Sequence, residues 1–283
     1  MTAAVLHQAE TLPELQTASA AELHLMEALD SGRAALPLLP TIAAEALQLA
    51  ADPDASVAEF AELVKTDPPI AVRFIALANS SYYTRGQPTK RVQDAVARLG
   101  LAASRDLIFQ LVYSSQYQGL RRFSALVERT FTESVQCAVV CRTAAGVLRV
   151  GIADAYLCGL LHDVGQARVF QILSKSKHAC EEEEAWELAA RYHARAGAEL
   201  ARHWALPDEL VQVCRRHHDA DPPALHQVQL VRLAELLMPV LRAKVALPST
   251  RIELPKAPAE LGVEPHEVEQ IFRRSLAALG RLC

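Results

Sequence analysis

Residues 157–170, LCGLLHDVGQARVF, place the tightest constraint on how this chain can fold. Leu157, Leu160, Leu161 and Val164 recur at i, i+3, i+4 and i+7, the spacing of a helix with one buried face. His162 and Asp163 fall within or beside that stripe, where polar side chains need partners. A fold that buries this helix must therefore bring further polar groups to the same place. They would serve either as ligands to a metal or as members of a hydrogen-bond network. The periodicity predicts one helix over 153–173 with the His-Asp pair inside it.

Helical spacing continues through the rest of the chain, with proline and glycine at the joints. A short pattern over 21–29 ends at Gly32. Pro37 and Pro40 permit a helix only from about Thr41, because proline fits a first turn but not an interior, and Asp52-Pro53 stops it. Ser56-Val57-Ala58-Glu59 is a capping box, with Val57, Phe60, Ala61 and Val64 as the apolar face behind it. Asp67-Pro68-Pro69 opens the next helix, Asn79-Ser80-Ser81 closes it, and Gly100 ends a helix over 92–99 as a left-handed cap. From residue 120 the predicted helices lengthen: 123–148, 153–173, 181–203, 207–218, 224–243 and 264–279. Strand alternation of useful length is missing, aromatics make up only 5%, and Ala and Leu abound, so the predicted fold class is all-α. At 283 residues and 51% hydrophobic, the chain can fill a real core in one large or two modest domains.

Helical bundles build metal sites by gathering histidines and carboxylates from separate helices. The candidates are His162 and Asp163 on one helix, His193 on the next, and His217 and His218 at the end of another. A neutral imidazole nitrogen binds a divalent ion, and a carboxylate can bridge two ions or orient a water. Such an array could activate water for phosphoester hydrolysis. A buried His–Asp hydrogen bond that pins helices together would need no metal at all. The residues alone leave both open. Six cysteines (Cys137, Cys141, Cys158, Cys180, Cys214 and Cys283) form no CxxC pair and read as scattered reduced thiols, with Cys137 and Cys141 able to share a helix face. Asn79 and Ser80 suit a helix end, and with Tyr82 and Tyr83 they form the candidate surface for a partner.

Several of these stretches together resemble one family. LPLLPTIAAEALQLAADPDAS, ELVKTDPPIAVRFIALANSSYY, VQDAVARLG, GLLHDVGQ and HARAGAELARHWALPDELVQVCRRHH follow one another as the motifs of HDOD-domain proteins do, a bacterial signalling branch of the HD superfamily. The resemblance covers about residues 36–235. It implies two packed helical subdomains, the second an HD-type bundle: 1–35 an N-terminal helical extension, 36–118 the first subdomain, 119–245 the HD-like subdomain, and 246–283 a Pro-rich linker with a C-terminal helix. It also implies a divalent metal (iron, manganese or zinc) as the cofactor to look for, with His162, Asp163, His193, His217 and His218 as candidate ligands. Glu133 stands where catalytic relatives carry a further histidine, and Glu235 where they carry a later aspartate. Gln166 replaces the lysine that often follows the His-Asp pair, which removes a cation for phosphate charge. After His218 the sequence is DADPPA, not the Gly-Tyr-Pro of the cyclic-dinucleotide phosphodiesterases.

The expected function is therefore non-enzymatic signal transduction through protein–protein contacts, as an output partner in a two-component or cyclic-dinucleotide pathway. Residues 1–35 are too short for a receiver domain, so the input is expected from a signalling partner in trans. The alternative is a divergent metal-dependent phosphohydrolase. A net charge of −4 argues against nucleic acid as a partner. No secretory signal or membrane-length apolar run is evident, which predicts a cytoplasmic protein, with oligomer formation left open.

Overall fold

The computed structural model describes residues 18–31, 36–80, 83, 86–117, 120–220, 225–247, 249, 252–257 and 262–280. Among them the chain is all-α, with no strand. The helices are α1 (Ala20–Ser31), α2 (Thr41–Ala51), α3 (Val57–Lys65), α4 (Pro68–Ala78), α5 (Val92–Leu99), α6 (Leu101–Gln116), α7 (Ser124–Leu148), α8 (Ala155–Leu161), α9 (Val164–Lys175), α10 (Glu182–His203), α11 (Asp208–Arg216), α12 (His226–Ala246) and α13 (Pro265–Leu279).

Local chemistry sets many of these boundaries. At the start of α3 the Glu59 amide donates to Ser56 Oγ (3.2 Å) while Glu59 Oε2 accepts from the Ser56 amide (2.8 Å), closing the capping box in both directions. Asp67 caps α4 by accepting from the Ile70 amide (3.1 Å), with Pro68 and Pro69 in the first turn, where their missing N–H groups cost nothing. Gly100 closes α5 at φ 83°, and its ψ of 161° turns the chain directly into α6, so the residue serves both helices.

Helices α2 to α6 pack on one another, and α7 to α12 pack together as well, with α7 lying against α8, α12 and α13. Helix α1 docks on α9 and α10, burying Ala21, Leu25 and Leu29. There Glu22 pairs with Arg191 and accepts from the Tyr192 hydroxyl (2.8 Å), and Arg195 donates to Asp30 (2.6 Å). Helix α6 reaches both groups. Its Arg105, 5% exposed, donates to Asp106 Oδ1 (2.8 Å), Asp154 Oδ1 (2.8 Å) and the Ala153 carbonyl (2.7 Å). The Tyr156 hydroxyl adds a hydrogen bond to Gln110 Oε1 (2.8 Å). These bonds fix the start of α8, whose seven residues are all buried.

The predicted single helix over 153–173 is two helices. The His162-Asp163 pair lies in the break between α8 and α9, where Asp163 adopts φ −103° and ψ 14°. Leu157, Leu160, Leu161 and Val164 are buried as their spacing requires, so the apolar period runs straight through the interruption. Close packing flanks the break. A Cβ on Gly159 would lie 2.6 Å from Ala138 Cα of α7, and one on Gly165 would lie 1.9 Å from the His193 carbonyl oxygen of α10. Each half of the interrupted helix thus meets the backbone of a different neighbour.

Candidate metal centre

Four elements deliver side chains to the α8–α9 break. It presents His162 and Asp163 itself, α10 presents His193, the end of α11 presents His217 and His218, and α12 presents Glu235. Glycine at 165 and 197 lets the start of α9 meet the α10 backbone, which sets Asp163 beside His193.

Each buried imidazole is held by its Nδ1. His162 Nδ1 faces the Gly159 carbonyl (2.9 Å), His193 Nδ1 faces those of Ala189 (3.0 Å) and Ala190 (2.9 Å), and His217 Nδ1 faces that of Val213 (2.8 Å). A carbonyl only accepts, so Nδ1 carries the proton; a neutral ring at 193 or 217 then presents Nε2 as its lone-pair nitrogen, while His162 Nε2 faces Asp163 Oδ2. The Nε2 atoms of His193 and His217 lie 3.3 and 3.5 Å from Asp163 Oδ1 and 3.3 Å from each other. One ligand atom from each of Asp163, His193, His217 and His218 falls within 4.8 Å of all the others. His217 is fully buried, the Asp163 side chain is 18% exposed, and the His218 side chain is 55% exposed, opening one side of the group to solvent.

The second carboxylate oxygen is occupied differently. Asp163 Oδ2 accepts from Gln166 Nε2 (2.7 Å) and lies 3.3 Å from His162 Nε2. Glu235 Oε1 stands 3.9 Å from His162 Nε2 and 3.7 Å from His218 Nε2. Burial of His162 opposes its protonation, but Asp163 and Cys137 outweigh that and hold its pKa well above the usual histidine range. Burial likewise pushes Asp163 upward, but His162 wins and holds it well below the carboxylate range. Burial lowers His193, and burial together with the neighbouring His217 and His193 takes His218 down to about 4. Glu235 is raised by burial, partly offset by His162.

This arrangement fits a divalent ion. Asp163 Oδ1 is buried with no hydrogen-bond partner, and an orphaned carboxylate oxygen facing imidazole lone pairs is unfavourable without a cation between them. Nitrogen and oxygen donors of this kind suit zinc, iron or manganese. Asp163, His193, His217 and His218 are the residues that would hold the ion, and such an ion would supply Lewis acidity and lower the pKa of a bound water. The pair named at the start of the sequence therefore divides its work: Asp163 belongs to the ligand group, and His162 lies outside it, supporting the carboxylate from its far side.

Glu133 does not join. It lies on a different face of α7, accepting from Arg129 Nε (3.1 Å) and pairing with Arg242 (3.1 Å). The buried face of α7 instead carries Thr130, Ser134, Cys137 and Cys141, and it is Cys137 that interacts with His162. The Cys137 and Cys141 sulfurs are 3.9 Å apart, as one helical turn allows, and the five described cysteines are all free and buried; Cys283 lies outside the described residues. In the candidate partner surface, Asn79 donates to the Thr89 carbonyl and accepts from its amide (both 2.8 Å), and the Ser80 hydroxyl donates to the Leu77 carbonyl (2.7 Å). These two side chains close the loop after α4. Tyr83 is half-buried, and Tyr82 lies outside the described residues.

An all-α bundle that assembles a His-Asp step with histidines from two later helices defines a protein of the HD class. Residues 36–220 match the HDOD domain, and the chain belongs to the HDOD family. Its fold is shared with a proposed metal-dependent phosphohydrolase from Shewanella amazonensis (20% identity, 90% of this chain and 97% of that one, TM-score 0.65). It is shared also with a proposed signal transduction protein from Marinobacter aquaeolei (21% identity, 94% and 66%, TM-score 0.64). A curated relative, an uncharacterized protein of Treponema pallidum, is 23% identical over 194 residues, so that 65% of this chain spans 38% of that protein. No helix among the described residues is long and apolar enough to cross a membrane.

Proposed function

We propose that this chain is a bacterial cytoplasmic signal-transduction protein that works through contacts with protein partners in trans. In this reading its HD constellation holds one divalent ion as a structural and regulatory centre and does not turn over a phosphoester. The observation that carries the reading is the fate of residue 166. Where the family resemblance expects a lysine to meet phosphate, Gln166 donates its amide to Asp163. The ligand group is kept while the charge that would receive a phosphoryl group is given up, and the two nearest acidic side chains, Asp163 and Glu235, would repel a phosphate dianion. The likeness to the Marinobacter protein is in keeping with this reading. The test is a turnover assay on protein loaded in turn with iron, manganese and zinc, using bis-p-nitrophenyl phosphate, cyclic dinucleotides and nucleoside phosphates. Bound metal without hydrolysis supports the proposal; hydrolysis that disappears in Asp163→Ala contradicts it.

The second reading, a divergent phosphohydrolase, is favoured by the solvent-exposed His218 beside Glu235 (3.7 Å). In that case the raised pKa of Glu235 would suit it to hold a proton near the open side of the group. Hydrolysis lost in Glu235→Gln with metal retained would establish that role.

A further inference from the structure

Residue 166 carries more than the loss of a cation. Gln166 sits in the first turn of α9, three residues after Asp163, and its backbone amide donates to the Asp163 carbonyl (2.9 Å). Its side-chain amide is held at both ends. Nε2 donates to Asp163 Oδ2 (2.7 Å), and Oε1 accepts from the Thr130 hydroxyl of α7 (3.1 Å), a side chain 2% exposed. The carboxylate dictates the direction of the amide, because a flipped Gln166 would set its carbonyl oxygen against the Asp163 oxygen. With Oδ2 engaged by Gln166 and facing His162, the carboxylate cannot swing about its Cβ–Cγ bond. Oδ1 is left alone to face His193 and His217.

We infer that the Thr130–Gln166 relay is the positioning device of the metal centre, holding Asp163 to ligation through one oxygen. Without it His162 alone faces Oδ2, and the carboxylate can turn to offer both oxygens, which changes both affinity and coordination number. The relay belongs to this chain's departure from the family pattern, since a lysine at 166 has no acceptor to offer Thr130 and would pair with Asp163 as a point charge. The inference rests on the proposed metal centre.

The test compares wild type with Gln166→Leu, Gln166→Glu and Thr130→Val. Affinity for zinc is measured by competition with a chromophoric chelator, and coordination by the visible spectrum of the cobalt(II)-substituted protein. Loss of an outer-shell partner of a metal ligand costs about 10–100-fold in affinity, and Gln166→Leu is expected in that range with a changed cobalt band pattern. Thr130→Val should move both readouts in the same direction by less. Gln166→Glu supplies the discriminating result. It keeps an acceptor for Thr130 but sets a second carboxylate oxygen against Asp163 Oδ2, so it should change the cobalt spectrum and lose affinity as Gln166→Leu does. A residue that merely fills space would tolerate this near-isosteric exchange with both readouts unchanged. Wild-type affinity and an unchanged cobalt spectrum in Gln166→Leu overturn the inference while leaving the metal centre standing. Wild-type protein that binds no zinc overturns both.

Discussion

Replacing Gly165 by alanine places a methyl group where the α10 backbone already is. The added Cβ would lie 1.9 Å from the His193 carbonyl oxygen and 2.5 Å from the Gly197 nitrogen, against the 3.4 Å at which ordinary contact begins. Relief requires α9 and α10 to part by about 1.5 Å, and neither obstacle is a side chain that could turn away. Overpacking a core costs roughly 1–3 kcal/mol where side chains can adjust, so a backbone obstacle at the densest helix pair should cost at least about 3 kcal/mol. At a urea slope of about 3 kcal/mol/M, that is a midpoint lowered by about 1 M, read by far-ultraviolet circular dichroism. The control is Gly146→Ala in α7, where an added Cβ meets nothing within 4 Å. That substitution should leave stability unchanged or raise it by up to about 1 kcal/mol through helix propensity. Equal midpoints for Gly165→Ala and wild type would refute the close approach of α9 and α10, and with it the account of how Asp163 is brought to His193.

Other perturbations separate the centre from the scaffold. His218→Ala should weaken metal binding with a stability change within about 0.5 kcal/mol, because the side chain is half exposed, whereas His217→Ala should lose both affinity and stability; calorimetry and urea melts distinguish them. Arg105→Leu leaves Asp106 buried without its counter-charge and should cost about 3–5 kcal/mol, measured in the same melts. Asp106 itself is raised by burial to about 6 in spite of Arg105. Between about 4 and 6 the folded state therefore keeps a proton that the unfolded chain has released, and the Asp106 contribution to stability falls as pH rises through that window. Asp106→Asn should remove this slope, so that the wild-type-minus-variant difference in stability declines from pH 4 to pH 6; a difference independent of pH would contradict the assignment.

Where the determinants are local, they can be read along the chain. Ser56 with Glu59, Asp67 with its two prolines, and the proline-bounded start at Thr41 act within one turn, and the helices begin where these residues say. The polar pair on a buried stripe shows that company is required, the resemblance to the HDOD motifs singles out His193, and the structure sets it with His217 and His218 beside Asp163. What could not be read depends on contacts between distant residues. The break at His162-Asp163 lies between close backbone contacts of Gly159 with Ala138 and of Gly165 with His193, while the apolar period across it stays unbroken. Glu133 and Ser134 are neighbours in sequence but point to different faces of α7, a rotation that family register alone does not resolve. Arg105 and Asp154 stand 49 residues apart, and nothing in either local sequence announces their pairing. In the sequence Gln166 reads as a missing lysine, although its i+3 spacing from Asp163 on a helix start is the available sign of a hydrogen bond.

The most direct measurement is the metal content of the purified protein by inductively coupled plasma mass spectrometry, before and after loading with iron, manganese and zinc. Wild type should retain about one divalent ion per chain, and Asp163→Ala, checked by circular dichroism to be folded, should retain none. Folded wild-type protein that holds no ion under any loading would contradict the centre, and would leave the His162, Asp163, His193 and His217 cluster as a hydrogen-bonded core.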